Sequence, residues 1–299
     1  MKLHNLGEDR LLNLLLAGLS LGKAVAAGPG DDCALVAIHD RRKLLVLKVD
    51  CVVEGVHFLR RTSASDVGWK AMMRPLSDFA ATSAVPHFAL ITVIVPEQTK
   101  VAWIKQLYRG LRRAARRFDV SIVGGETSST PGEIAISTSV IGFVEKHRAV
   151  SRRGGKPGDD LFVTGRLGGA LRQKHLQFIP RIVESRWLTE NFSIHAMMDL
   201  SDGLGADLPR LARASKVGFK LDTENLPLTG GAKINDAISQ GEDYELLFAI
   251  SPRNRNRLER EWKKRFPRLP LTRIGSLSQL STKGNQLLPR GYVHFQQSG

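Results

Sequence analysis

The sequence predicts a mixed α and β protein of two layered domains. Three observations predict it. Short β-branched apolar runs alternate with long stretches of helical spacing. A polar stretch rich in Gly and basic residues, 147–160 (HRAVSRRGGKPGDD), interrupts that alternation near the middle and marks the expected boundary between residues 1–146 and 147–299. A chain of 299 residues, 42% of them hydrophobic, is long enough to bury more than one core.

The elements follow in order. Helix 8–19 is expected from Leu11, Leu12, Leu15, Leu16 and Leu19, which share one helical face and predict packing on the core. Its apolar run superficially resembles a secretory leader, but Glu8 and Asp9 stand where a leader carries positive charge. Strands are expected at 33–38, 44–50, 88–95, 120–123 and 134–144. A second helix covers 66–84, and Pro75 inside it removes a hydrogen bond and is expected to kink or divide it. A third helix covers 99–118. Val101, Ile104, Leu107, Leu111, Ala115 and Phe118 form its buried face, and Arg109, Arg112, Arg113, Arg116 and Arg117 lie largely opposite.

After the boundary, LFVTG reads as a strand entering a turn at Gly165, Gly168 and Gly169. An irregular helical region follows. Then come strand HAMMDLSD, helix 204–215, strand GFKLD, a helix around 232–240, strand YELLFAI, helix 253–265 and RIGSL.

Composition narrows the function. The formal net charge is +15, yet the densest basic stretch lacks interleaved aromatics and any nucleic-acid motif, so it reads as a solvated helix face and nucleic acid is not an expected partner. No apolar run approaches the roughly 20 residues of a membrane span. Cys33 and Cys51 have no metal spacing and no disulfide framework, which fits a reducing cytoplasm.

The chemistry lies in the carboxylates. They cluster in Gly-, Ser- or Thr-rich junctions: Asp31-Asp32, Asp50, Asp78, Gly125-Glu126, Asp199-Leu200-Ser201-Asp202 and Glu242-Asp243. Most close an apolar run that reads as a strand. An isolated carboxylate is costly near apolar surface, so the pattern predicts a counter-cation. Oxygen ligands without Cys or His suit Mg²⁺, whose usual partners are nucleotide phosphates. There is no P-loop, no G-x-G-x-x-G and no protein-kinase motif set. A nucleotide would therefore be held through carboxylate-bound Mg²⁺ and Gly-rich backbone amides.

The segments GDDCAL, VDCVVEGVHF, GWKAMMRPLSDFAATSAVP, IVGGETSSTPG, SRRGGKPGDDLFVTGRLGGA, MMDLSDGLGADLPRLARAS and GEDYELLF, in this order, resemble the thiamine-monophosphate kinases of the aminoimidazole ribonucleotide synthetase-like superfamily. The resemblance covers most of residues 30–248. It implies an α+β fold: an N-terminal α+β domain with a mixed sheet that forms a homodimer, followed by an α/β C-terminal domain. It also implies ATP- and Mg²⁺-dependent phosphorylation of thiamine monophosphate to the diphosphate by direct in-line transfer, in the cytoplasm.

Residue by residue, the resemblance assigns several Mg²⁺ ions to Asp32, Asp50, Asp78, Glu126, Asp199 and Asp202. It puts Gly125, Glu126, Arg152 and Ser201 around ATP, and His57 and Glu242 at the thiamine substrate. Asp78, Asp202 and Arg152 carry the transfer. Asp78, Asp199 and Asp202 are therefore expected to converge in space.

The chain departs from the family pattern at four places. Glu126 replaces Asp, extending its carboxylate by one methylene. Lys48 and Val49 replace small hydroxyl residues before Asp50; Lys48 reads either as a solvent-facing strand residue or as a replacement for one metal's charge. Pro75 replaces Asn. Pro289 stands where the family has a substrate-facing aromatic, with Tyr292 and Phe295 close behind as substitutes. Two other readings stay open: a superfamily enzyme acting on another small phosphorylated substrate, and a non-catalytic nucleotide- or nucleic-acid-binding descendant.

Overall fold

The computed structural model describes residues 3–6, 8–172, 174–280, 288–289 and 291–292. Its strands are β1 (Val25–Ala27), β2 (Ala34–Ala37), β3 (Lys43–Val53), β4 (Val85–Val95), β5 (Ser121–Ser129) and β6 (Ala135–Glu145), then β7 (Asp160–Thr164), β8 (Ile194–Asp199), β9 (Gly218–Leu221), β10 (Leu246–Ile250) and β11 (Leu271–Ser278). The helices are α1 (Leu3–Leu6), α2 (Glu8–Leu16), α3 (Ala64–Ala81), α4 (Val101–Arg117), α5 (Lys174–Gln177), α6 (Ile182–Asn191), α7 (Leu204–Ala214), α8 (Ile234–Ser239) and α9 (Arg255–Arg265).

The first six strands form one sheet in the order β1-β2-β3-β6-β4-β5. Only β4 and β5 pair in parallel, joined by α4 as a crossover, so the sheet is mixed. The other five strands form a second sheet, β8-β10-β7-β11-β9, whose pairings are all antiparallel. The fold is α+β in character, with helices layered on both sheets.

The two sheets differ in how their faces are covered. Strand alternation in β3 and β6 buries Leu44, Val46, Val52, Ile136, Val140 and Val144 on the face that carries α3 and α4. Those helices cross with their backbones in contact: a Cβ on Gly68 would lie 2.1 Å from the Leu107 carbonyl oxygen, and one on Gly110 1.9 Å from that of Ser65. The opposite face leaves Leu47, Val49, Phe88, Leu90 and Val123 exposed. The second sheet is buried on both faces. Leu161, Val163, Ala196, Met198, Leu247 and Ala249 pack under α7 and α8, while Phe162, Met197 and Phe248 join the core that holds α3.

Two expectations need correction. Helix α3 runs undivided through Pro75, which is buried with nearly every residue around it. Packing against α4, α5, α6 and β8 holds the helix on several sides, and that burial overrides the local loss of one hydrogen bond. Helix α2 ends at Leu16, shorter than expected, and the predicted apolar face is not buried: Leu12, Leu15 and Leu19 are exposed and Leu11 and Leu16 half-buried. Helical spacing identifies an apolar face, but no element among the described residues covers this one.

Candidate active site

Two adjoining cavities lie where α3 meets the end of β8. One, of ≈ 640 Å³, has Asp50, Asp78, Asp199 and Asp202 in its wall, with Lys48, Arg152 and Arg210 among them and α2 at one side through Glu8, Leu12, Asn13 and Leu16. The other, of ≈ 350 Å³, is lined by His57, Lys70, His175, Glu242 and Tyr292. Arg74, Ser201, Asp202 and Tyr244 belong to both walls.

Helix α3 links the two. Lys70, Arg74 and Asp78 recur at i, i+4 and i+8, so they stack on one helical face over about 12 Å of rise. Lys70 lines the smaller cavity, Arg74 the common wall and Asp78 the acidic one. From the other side, the β8 terminus supplies Asp199, Ser201 and Asp202 just before α7. The loop ahead of β10 is braced against it: Glu242 N–H donates to the Ser201 carbonyl (2.7 Å) and Tyr244 N–H to that of Leu200 (2.8 Å). Glu242 (φ 70°) and Tyr244 (φ 50°) both adopt the left-handed conformation, strain of about 1–3 kcal/mol each that this bracing sustains.

Asp78 and Asp199 of the acidic cavity's wall form a buried trio with Asp32, each offering an oxygen within 4.8 Å of the others. Arg152 donates to Asp32 Oδ1 through Nε (3.1 Å) and Nη2 (2.5 Å), and its backbone N–H donates to Asp31. Ser77 Oγ donates to Asp199 Oδ2 at 2.6 Å. Lys48 Nζ lies 2.8 Å from Asp78 Oδ1 and 3.8 Å from Asp50 Oδ1.

Burial pushes the Asp78 carboxyl well above the usual carboxylate range despite the pull of Lys48. Burial and the neighbouring charge of Asp32 push Asp199 up to about 7. The same Asp78 and Asp50 charges, outweighing burial, hold the Lys48 ammonium above its ordinary value. Asp32 Oδ2 is buried with no hydrogen-bond partner among the described residues. An oxygen-only donor set with an orphaned carboxylate oxygen fits a hard divalent cation such as Mg²⁺.

In the smaller cavity, Lys70 is fully buried. Its Nζ pairs with Glu242, donates to the His57 carbonyl (2.7 Å) and lies 2.9 Å from His175 Nδ1, which is 3.1 Å from Glu242 Oε2. Burial pulls Lys70 down to about 8, against the attraction of Glu242. Burial would raise Glu242, but His175 and Lys70 together take it down to about 2. His57 is held at its ring, where Nδ1 accepts from Val53 N–H (3.1 Å).

The structure thus brings Asp50, Asp78, Asp199, Asp202, Arg152 and Ser201 around one cavity, with Asp32 buried against Asp78 and Asp199, and places His57 and Glu242 at the next. Within it, Asp202 stands apart from the tight trio because Arg210 holds its carboxylate. Gly125 and Glu126 line neither cavity. They sit on edge strand β5 opposite Ile91 and Thr92, where a Cβ on Gly125 would lie 1.8 Å from the Ile91 carbonyl oxygen. Glu126 is exposed on the uncovered face of the sheet, with Ser128 Oγ donating to it at 3.3 Å. Tyr292 lines the smaller cavity and Pro289 does not. Phe295 lies outside the described residues.

Sequence reasoning missed Lys70, Arg74 and His175. Arg74 had a signal, an arginine set in the apolar turn MMRPL. Its Nη1 is buried with no hydrogen-bond partner among the described residues. Lys70 and His175 had none, because a lysine or histidine on a helix ordinarily faces water.

Comparison with known proteins identifies the family. The AIR synthase related protein N-terminal domain matches residues 30–144, and the AIR synthase related protein C-terminal domain matches 152–261. The thiamine-monophosphate kinase of Rhodopirellula baltica is 34% identical over 90% of this chain and 92% of its own length. That of Bacillus subtilis is 31% identical over 91% and 94%. A solved structure of AaThiL complexed with AMPPCP and TMP superimposes with a TM-score of 0.84 at 33% identity, covering 98% of this chain and 99% of the other. The HypE–HypF complex, at 19% identity and a TM-score of 0.73, shares the fold. The chain therefore belongs to the AIR synthase related proteins and, within them, to the thiamine-monophosphate kinase family.

Proposed function

We propose that this protein transfers the γ-phosphoryl group of ATP to thiamine monophosphate, giving thiamine diphosphate and ADP, in the cytoplasm. One observation carries the reading: the acidic cavity and the smaller cavity share a wall, so a nucleotide in the first and an acceptor in the second would meet at Arg74, Ser201 and Asp202. The related AaThiL binds AMPPCP, a methylene analogue of ATP, together with TMP.

The acceptor needs no general base. A phosphate monoester has a second pKa of about 6 and is largely ionised at neutral pH, so its oxygen can attack the γ-phosphorus in line. The obstacle is repulsion between polyanions. Arg152 and Arg74 supply fixed positive charge on the nucleotide side and at the shared wall, and Lys70 holds Glu242 and the His57 carbonyl in place at the acceptor. Asp32, Asp78 and Asp199 would hold Mg²⁺, with Asp50 and Asp202 beside them; when bound, Mg²⁺ would neutralise charge on the phosphates. Catalysis is then mostly positioning.

The reading includes a homodimer. Pairing places Leu47, Ile141 and Phe88 in one row across the open face of the first sheet, and Val49, Ser139 and Leu90 in the next. Cys51, Ser137, Thr92 and Glu126 follow in the same register. A second copy seated there would bury the apolar rows and receive Glu126 and Gly125 near its own acidic cavity, which explains why they line no cavity of their own chain.

The test is ADP release from Mg²⁺-ATP across a panel of phosphorylated acceptors, run beside light scattering. Turnover with thiamine monophosphate by a dimer is expected. Turnover with a different ester alone would reject the acceptor, and a fully active monomer would reject the assembly.

A further inference from the structure

Lys48 faces the helix-covered side of β3, between inward-facing Val46 and Asp50, so the strand's alternation aims its ammonium at the carboxylates rather than at water. Its Nζ bridges Asp78 (2.8 Å) and Asp50 (3.8 Å). Asp78 also belongs to the trio with Asp32 and Asp199. Two cation positions therefore share one carboxylate, and the lysine fills one of them. Within the trio, Arg152 takes Oδ1 of Asp32 while Oδ2 is buried with no hydrogen-bond partner among the described residues.

We propose that the Lys48 ammonium is a tethered counter-cation that stands in for one divalent ion between Asp50 and Asp78, so that this chain needs one divalent ion fewer than it would with a hydroxyl residue at position 48. The inference rests on the reading of the acidic cavity as a Mg²⁺-nucleotide site. An ammonium has donors only, so it cannot share its place with a metal; it repels a dication there and cannot enter a metal's ligand shell. It carries three N–H donors. Asp78 takes one and Asp50 lies near a second, and because Lys48 also lines the cavity, a third is free to meet a phosphate oxygen. A cation fixed by a covalent tether needs no loading, so this part of the charge balance is independent of the free Mg²⁺ concentration.

The test counts metal rather than turnover. Wild-type protein crystallised with MnCl₂ and AMPPCP should show an anomalous peak among Asp32, Asp78 and Asp199 and none between Asp50 and Asp78. Lys48→Thr should gain the second peak, and Mn²⁺ titration followed by electron paramagnetic resonance should rise by one ion per protomer. Lys48→Arg should keep the wild-type count. A wild-type peak between Asp50 and Asp78 overturns the proposal even if no variant folds, and so does an equal Mn²⁺ count in wild type and Lys48→Thr. Absence of any peak at the trio would instead overturn the Mg²⁺-nucleotide reading, and this inference with it.

Discussion

The two cavities share a wall yet are built in opposite ways. The acidic one gathers carboxylates from the start of β2, from β3, from α3 and from the end of β8, and sets them against a lysine and arginines. Burial, with the neighbouring carboxylates adding to it, pushes Asp78 and Asp199 above the usual carboxylate range. The smaller one is already balanced: Lys70, Glu242 and His175 satisfy one another within the chain. On the proposed reading, the difference means that cations complete the first, while the second receives the acceptor with its own charges already paired. Arg74, with an unpartnered nitrogen between them, is where the two meet.

If that division is right, substitutions should separate cleanly. The largest effect is expected for Asp78→Asn, which removes a carboxylate shared by the trio and Lys48. Turnover should fall by about 10²–10³-fold, the scale of losing one charge-stabilising group in a preorganised site. Far-ultraviolet circular dichroism should stay native, because Asp50 still faces Lys48. An active Asp78→Asn protein would break the comparison.

A smaller effect, confined to the other cavity, is expected for Lys70→Met. Its ammonium positions Glu242 and the His57 carbonyl through hydrogen bonds, and those to charged groups contribute about 1.5–3 kcal/mol, so their loss should raise the KM for thiamine monophosphate about 10–100-fold while the KM for ATP stays nearly constant. In the wild type the same loss should appear with pH. Burial holds Lys70 near 8, below the ordinary lysine value, so the ammonium is lost as pH rises through about 8 and the acceptor KM should climb there. Stability runs the other way. Between about 8 and the ordinary lysine value the unfolded chain binds more protons than the folded one, so this group's contribution to stability grows with pH in that window. A steady-state pH profile beside thermal melts checks both signs, and Lys70→Met should flatten both.

The smallest effect is expected for Tyr292→Ala. Ring stacking adds about 0.5–1.5 kcal/mol beyond burial, so the acceptor KM should rise only several-fold, with ATP again unaffected. An equal rise for both substrates would show that the two cavities do not act separately.

The division also explains what could be read beforehand. Most carboxylates of the acidic cavity stand at the ends of apolar runs, where a charge has no ordinary reason to be, so Asp32, Asp50, Asp78, Asp199 and Asp202 stood out in the sequence. The smaller cavity was legible only at His57 and Glu242, and through the family's motifs. Lys70 and Arg74 carry charges that a helix normally turns to water, and only the burial of α3 on several sides changes their meaning. Glu126 shows the reverse case: its motif is plain, but strand register puts it on the open face, away from its own chain's carboxylates.

The sequence by itself determined the alternation of strands and helices, the break after the first sheet, the acidic junctions and the family, because periodicity and local residue chemistry are properties of neighbouring positions. Tertiary structure alone decided that Pro75 could sit inside an undivided helix, that Leu12, Leu14 and Leu15 of α2 stay exposed, that Asp202 pairs with Arg210, and that Lys48 bridges Asp50 and Asp78. Those outcomes depend on which surfaces meet across long stretches of chain. Burial and partner charges at such contacts set the balance between competing placements of one side chain, and no local pattern contains them.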